Sequence, residues 1–545
     1  MPAWFDDWRC HVHTRLSTQS VGMIRRDDFT NFSKLAAPIA RQRAIPAMNA
    51  LLISLVLSTL GAPQATSVGL KDFGAIGDGK THKVTADQLK RKTALGVSGA
   101  HRLDDFDAED TVDWLAFHMA SRRLAAQGGG VLHIPNGHYI IRRPLVLMST
   151  VRVVGESRDG VIFENNYDRG GSVWQTEFRR YGFFAGNHHP VIFNESSKSA
   201  VPHYDVKGAI AAGQTEVPMA APAKATEFTA GDFVFIRHTS TYPSGHGEAV
   251  VPYWCYPNRV IEIDARRGVL KLEYPVKGPL AAGEAKVARM GAGRDGTMGG
   301  APWTMVHDCG IENVLFRART LSQRNGWYRG WLRNIRAETA SEGIVSNCLY
   351  RCVFEDVELR VGRTRAIECK GCSHESVYRR WRVQQAATAP VDEPMISIGE
   401  SSEDITLEDC VFVENEHAAG DKIIVNTADR IVFDRVRYTA STSGTILNAG
   451  THPGHPLHLV IRNSEFVARG DRVSRFARLQ CDVVEIDGLT CSGKVAARGN
   501  QVSVEKVVAG SIANLKFSEP SYRLGGASLK NIKVLKSARP EGSKN

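Results

Sequence analysis

A phrase of two short apolar pairs recurs through the second half of this chain, and no other feature restricts its fold as much. In ITLEDCVF, the apolar residues are Ile405, Leu407, Cys410 and Phe412, and Asp409 stands where the alternation skips a step. That spacing describes two short strands, each with a side-chain period of two, joined by a bend too tight for a helix. Copies begin at Cys309, Gly330, Cys352, Ser376, Ile405, Ile431, Leu459 and Val484, at intervals of 21, 22, 24, 29, 26, 28 and 25 residues, with a last copy at Ala527. A recurrence of roughly 20–50 residues marks a solenoid, in which no single unit can bury its own apolar face.

The copies can be resolved further. Their bend position is Asn313, Asn334, Asp356, Asp409, Asn463 and Asn531 in six of nine copies, and Gly488 in a seventh. These residue types tolerate a left-handed backbone, and stacked side-chain amides can hydrogen-bond along the stack. We therefore read them as a structural ladder. A third apolar strand precedes several copies, around Ile344, Ile367, Ile396 with Ile398, Ile423 with Val425, Ile446, and Phe476. The expected class is all-β, with three strands per coil. Cys309, Cys352, Cys410 and Cys491 fall on inward positions, as small apolar core residues do.

An export signal is expected behind a long polar leader. Ala50 to Leu60 is an uncharged apolar run preceded by Arg41 and Arg43 and followed by Gly61, Ala62 and Ala65. It suits a signal core and is too short to span a bilayer. The expectation is a secreted or periplasmic protein with no stable membrane insertion once the signal is removed. The net charge is +10, and residues 1–65 carry 7 Lys/Arg against 4 Asp/Glu, so the remainder holds about +7. Such a balance favours an acidic partner.

After the signal come VGLKDFGAIGDGK (Val68 to Lys80), a helix that Thr111 can cap, and GGGVLHIPNGHYII (Gly128 to Ile141). This opening resembles the pectate lyase superfamily domain of rhamnogalacturonase-like proteins and phage tailspikes. The resemblance implies a right-handed parallel β-helix whose first coil is covered by the N-terminal helix. It also implies a substrate groove along the face of the third strand. The chain departs from the family pattern between Thr81 and Ala108, which intervene before the helix.

Five regions are expected: a leader with signal (1–65), the N-terminal cap and first coils (66–205), an inserted β module (206–287), the main coils (288–535) and a polar tail (536–545). The insert contains GDFVFIRH and RVIEIDARRGVLKLEYPV, with a turn at Arg267 and Gly268. Between them lies an aromatic loop with Tyr242, His246, Tyr253, Trp254 and Tyr256. These residues could stack on sugar rings or pack the module onto the coils. Gly245-His246-Gly247 is similar to a polygalacturonase motif, but no paired aspartates accompany it on neighbouring coils, and that chemistry is rejected.

Loops entering the third strand vary most in length, and function is expected there. Candidate catalytic residues are Lys370, Arg365, Arg363, Glu368, Asp392 and Glu414, with Lys422 as a substrate-binding cation. A lyase needs a base for the C5 proton of a uronate and a cation to neutralise its carboxylate; Lys370 with Arg363 or Arg365 would suffice. A hydrolase needs two carboxylates, and Glu368 with Asp392 or Glu414 is that pair. The preferred expectation is a lyase acting by β-elimination on an acidic, uronate-containing polysaccharide. Alternatives are a hydrolase, a uronate epimerase, a non-catalytic glycan-binding surface protein and a structural spike. No cofactor is certain from the sequence; calcium is an ion that acidic loops such as Asp392, Glu393 and Asp421 could hold. No nucleic-acid module is present in the sequence.

Overall fold

In the computed structural model, the described residues are 66–85, 87–88, 110–142, 145–165, 174–176, 203–243, 250–252, 254–289, 305–320, 326–362, 365–386, 393–415, 419–450, 457–496, 500–519 and 521–535. The expected signal segment and the polar tail lie outside them, as do Arg363, Asp392, His246 and Tyr253. No helix among the described residues is long and apolar enough to cross a membrane.

The chain is an all-β parallel solenoid of about 12 turns. One column of paired residues runs its whole length: Val68, Leu132, Val153, Ile311, Leu332, Phe354, Tyr378, Leu407, Phe433, Ile461, Ile486, Ile512 and Val534. A second column, beyond the bend, passes through Phe163, Phe316, Ala337, Leu359, Val383, Phe412, Tyr438, Phe466 and Cys491. Another ladder joins Ile344, Ile367, Ile396, Ile423 and Leu447. From Leu132 to Ile512 the members of these columns are buried and belong to one core. Each side chain taken out of water in this way contributes about 1.5–3 kcal/mol.

The bend between the first two columns is left-handed at Asn313, Asn334, Asp356, Asp409 and Asn463, with φ between 47° and 57°. Arg380 and Arg435 take the same conformation at φ 54°. Their guanidinium groups bind the aspartate one rung back: Arg380 Nε donates to Asp356 at 2.6 Å, and Arg435 Nε donates to Asp409 at 2.5 Å. Charge-assisted bonds of this kind offset the steric cost of a left-handed L-residue. The last expected copy is corrected by the structure. Leu529–Asn531 is a short 3₁₀ helix, and Val534 pairs with Ile512 in place of Leu529. A copy not read from the sequence, Gly510 to Phe517, stands one rung earlier with its bend at Asn514.

Helix α1 (Val112–Ala126) starts where Thr111 Oγ1 accepts from the Trp114 N–H at 3.3 Å. Its buried side, including Trp114, Phe117, Ala120 and Leu124, belongs to the same core as the first strands. Asp113 locks the glycine-rich entry to it, accepting backbone N–H bonds from Ile76 (2.8 Å), Gly77 (3.2 Å) and Ile140 (3.1 Å). Glycine is required at position 130, where a Cβ would lie 2.2 Å from the Thr66 carbonyl oxygen.

The inserted module is an antiparallel six-stranded sheet drawn from His203–Asp205, Glu216–Pro218, Phe233–His238, Cys255–Asp264, Val269–Leu272 and Ala285–Arg289, with its own core. Gly268 at φ 66° makes the expected turn. The module docks on the ladder through Tyr328, Tyr350, His374 and Glu403. Arg351 lies 3.5 Å from the Tyr274 ring centroid, Tyr328 donates to Glu273 at 2.8 Å, and Lys277 pairs with Glu375 at 2.8 Å and with Asp404.

Two buried acids in the framework give tests. Replacing Asp113 with Ala leaves three backbone donors without their acceptor, so thermal unfolding should show a loss of about 3 kcal/mol. Glu403, buried beside Arg430, Asp429, Asp404, Lys277 and His374, is pushed up by burial to about 7. Its carboxyl holds a proton in the folded state that the unfolded chain releases, so its contribution is present below about pH 4.5 and lost as pH rises through about 7. The melting temperature of Glu403→Gln should therefore gain on that of the parent protein between about pH 5 and about pH 7.5. A constant difference would exclude Glu403 as the titrating group.

Candidate functional site

The outward positions of the ladder through Ile367 carry a cluster of paired charges. Ile367 and Cys369 point into the core, so alternation turns Glu368 and Lys370 the other way. Arg365 enters from the preceding loop. Its Nε and Nη2 donate to Glu393 at 3.1 and 3.0 Å, and its Nη1 binds Glu368. Lys370 Nζ lies 2.6 Å from the other Glu368 oxygen and 4.0 Å from Glu400.

Glu368 is thus held between two cations. Burial favours its neutral form, but the charges of Lys370 and Arg365 outweigh this, and the carboxyl lies below its ordinary value. Burial also works against the Arg365 charge, and Glu368 and Glu393 hold it above the usual arginine value. An ionised Glu368 has no proton to give, so the general-acid half of the expected hydrolase pair is not available here. The arrangement instead presents two cations whose resident carboxylates could be exchanged for that of a ligand. Glu400 is a member the sequence reading missed. It follows Gly399 within the strand Ile396–Glu408, where the register shifts, and its backbone turns left-handed at φ 54°.

Glu414 and Lys422 are corrected. They form a closed pair at 2.9 Å with side-chain exposures of 2% and 1%. Glu414 also accepts from the Ser441 N–H at 2.8 Å, and Lys422 donates to Thr442 Oγ1 at 2.9 Å. Neither side chain can reach a polymer. Glu414 cannot serve as the second carboxylate, and Lys422 cannot bind substrate. Burial raises the Glu414 carboxyl against the opposing pull of Lys422.

The aromatic loop divides. Tyr256 is half-buried and lies over the His374 ring, with centroids 5.3 Å apart, and Trp254 stacks on Tyr256 at 5.3 Å. Burial pushes the Tyr256 hydroxyl well above its usual value. Tyr256 therefore packs the module against the coils through His374. Tyr242 lies in strand Thr241–Pro243, its side chain outside the described atoms, as are all of His246 and Tyr253. Among the carboxylates named for calcium, Glu393 binds Arg365, and Asp421 accepts from the Thr445 N–H (2.9 Å) and Asn448 Nδ2 (2.6 Å). Among the described residues no group of three or more His, Cys, Asp or Glu side chains is placed to hold a metal.

The closed pair is tested by breaking it. Lys422→Met leaves Glu414 buried without its counter-charge and should lower stability by about 3–5 kcal/mol in denaturant unfolding. The double variant with Glu414→Leu should recover most of that loss. Equal stability of Lys422→Met and the parent would refute a structural role.

No family model matches the chain, and no curated protein matches it. Solved structures do. The tailspike gp61 of Pseudomonas phage phi297 aligns over 83% of this chain and 76% of its own, at 13% identity and a TM-score of 0.43. The A-module of the Azotobacter vinelandii mannuronan C-5 epimerase AlgE6 aligns over 86% and 99%, at 10% identity and 0.35. The catalytic unit of an α-1,3-glucanase from Streptomyces thermodiastaticus aligns over 88% and 71%, at 10% and 0.30.

Proposed function

We propose that this protein acts outside the cytoplasm on a uronate-containing polysaccharide, as a lyase. The observation that supports this reading is the Arg365–Glu368–Lys370 cluster, a buried ionised carboxylate clamped by two cations on an outward strand face. A uronate carboxylate would displace Glu393 from Arg365, whose Nε and Nη2 already present the two-pronged geometry that a carboxylate matches. Lys370, whose Nζ lies 2.6 Å from Glu368, would serve as the base in its amine form, its ammonium proton having passed to solvent beforehand.

The amine takes the C5 proton. The C5–H electron pair forms the C4–C5 double bond, the C4–O bond breaks, and solvent protonates the departing sugar oxygen. Arg365 stabilises the charge that develops on the uronate carboxylate during this step. An epimerase would share the proton abstraction and differ only in returning a proton to the opposite face. The hydrolase alternative loses ground because Glu414 is closed off and Glu368 is ionised.

Incubation with a panel of uronate polymers should generate the absorbance of unsaturated chain ends. Lys370→Ala should lower that rate by about 10²–10⁴-fold, the range for loss of a general base. An undiminished rate would remove Lys370 from the reaction. Neither unsaturated ends nor new reducing ends on any polymer would sink the catalytic reading.

A further inference from the structure

A recess of about 500 Å³ lies on a different ladder, the one after the bend, where segments 336–338, 358–360, 382–384 and 411–413 stack. Its outward residues form two columns in register: Arg336, Glu358, Arg382, Val411, and Glu338, Arg360, Gln384, Val413. Charges alternate in sign at the start of both columns, and the alternation then stops. Glu358 is shared by Arg336 (3.8 Å) and Arg158 (3.6 Å), and Glu338 by Arg317 (3.5 Å) and Arg336 (3.6 Å). Arg360 and Arg382 are exposed and have no carboxylate within ion-pair reach among the described residues.

Four outward arginines on nearby coils contrast with them. Arg333, Arg379, Arg435 and Arg437, also facing outward on nearby coils, each hold a carboxylate within 3.3 Å. A guanidinium left without a counter-charge beside a recess is a position for an anion. The next rung supplies the half-exposed Val411 and Val413, and the exposed Gln384 stands between Arg360 and Val413.

We infer that this recess is a second saccharide-binding site, taking a chain that carries carboxylates. Arg360 and Arg382 would hold acidic groups on neighbouring rungs, Gln384 a hydroxyl, and the valines the apolar face of a sugar ring. Two observations set a nucleic acid aside. Glu338 and Glu358 line the same recess and would repel a dense phosphate backbone, and no aromatic ring is present in the lining for bases to stack on. The site is independent of the reaction proposed above, since it lies on another strand face and uses none of the same side chains.

The test is calorimetric titration of the full-length Lys370→Ala protein with an oligogalacturonate and with its methyl ester, which keeps the rings and removes the charges. The acidic oligomer should bind and the ester should not. Adding Arg360→Gln and Arg382→Gln should weaken binding about tenfold for each guanidinium removed, the scale of a charge-assisted hydrogen bond. Both positions are exposed, so an unchanged melting temperature serves as the folding control. Absence of binding to Lys370→Ala, equal binding of the ester, or an undiminished affinity after the two arginine changes would each overturn the proposal. None of these outcomes bears on whether unsaturated ends form, so the two proposals fail separately.

Discussion

Among the described residues, the inner rungs of this solenoid satisfy their backbone hydrogen bonds through the rungs on either side, so the structure depends on parallel, in-register stacking. Register is set by which residues can be buried. A slip of one residue would turn a column such as Phe354, Tyr378, Leu407, Phe433 and Ile461 out into water. The bend carries the second constraint. It must be left-handed at each rung, and the chain meets that need either with Asn, Asp or Gly or with an arginine seated on the aspartate of the previous rung. The column through Val153 and Ile311 continues across the inserted module without interruption. The insert is therefore an addition to a stack whose geometry is already complete.

Charge is distributed on that stack in three ways. On the open faces, Arg–carboxylate pairs bridge rungs and are screened by water, so each is worth little alone. Under the module and at Glu414–Lys422, charges are enclosed, and their desolvation is offset only by close partners. At Arg365, Glu368 and Lys370, a buried carboxylate is held by cations that remain partly accessible. This last arrangement combines a defined electrostatic field with partial access to solvent, which is why it carries the functional proposal. Glu414 and Glu368 are residues of the same type whose roles diverge through their surroundings.

Local sequence was enough to place the parallel solenoid, the bend ladder, the helix start at Thr111 and the inserted sheet with its turn at Gly268. Each of these follows from short-range rules: side-chain alternation, left-handed tolerance, side-chain capping and turn chemistry. The copy at Gly510 to Phe517 escaped notice because glycine opens it where an apolar residue marks most other copies. The alignment of Ala527 failed because a 3₁₀ turn advances the chain before Val534 pairs. Alternation also turned Glu368 and Lys370 outward correctly.

What alternation cannot say is which outward residue meets solvent and which meets another part of the chain. Glu414 follows one strand and Lys422 precedes the next, and their side chains meet only in the folded chain. Tyr256 has the chemistry of a sugar-stacking residue, yet the sheet that carries it presses its ring against His374, more than a hundred residues away. Ionisation is decided at the same level. Glu368 is held below its ordinary value by Arg365 and Lys370, while burial raises Glu403 despite its arginine neighbour. The repeat, its rise and the identity of its core depend on neighbours a few residues apart, and so were written into the chain before any folding. Which charges are free to act was settled only when the coils stacked, because desolvation and pairing depend on what packs across the gap between distant rungs.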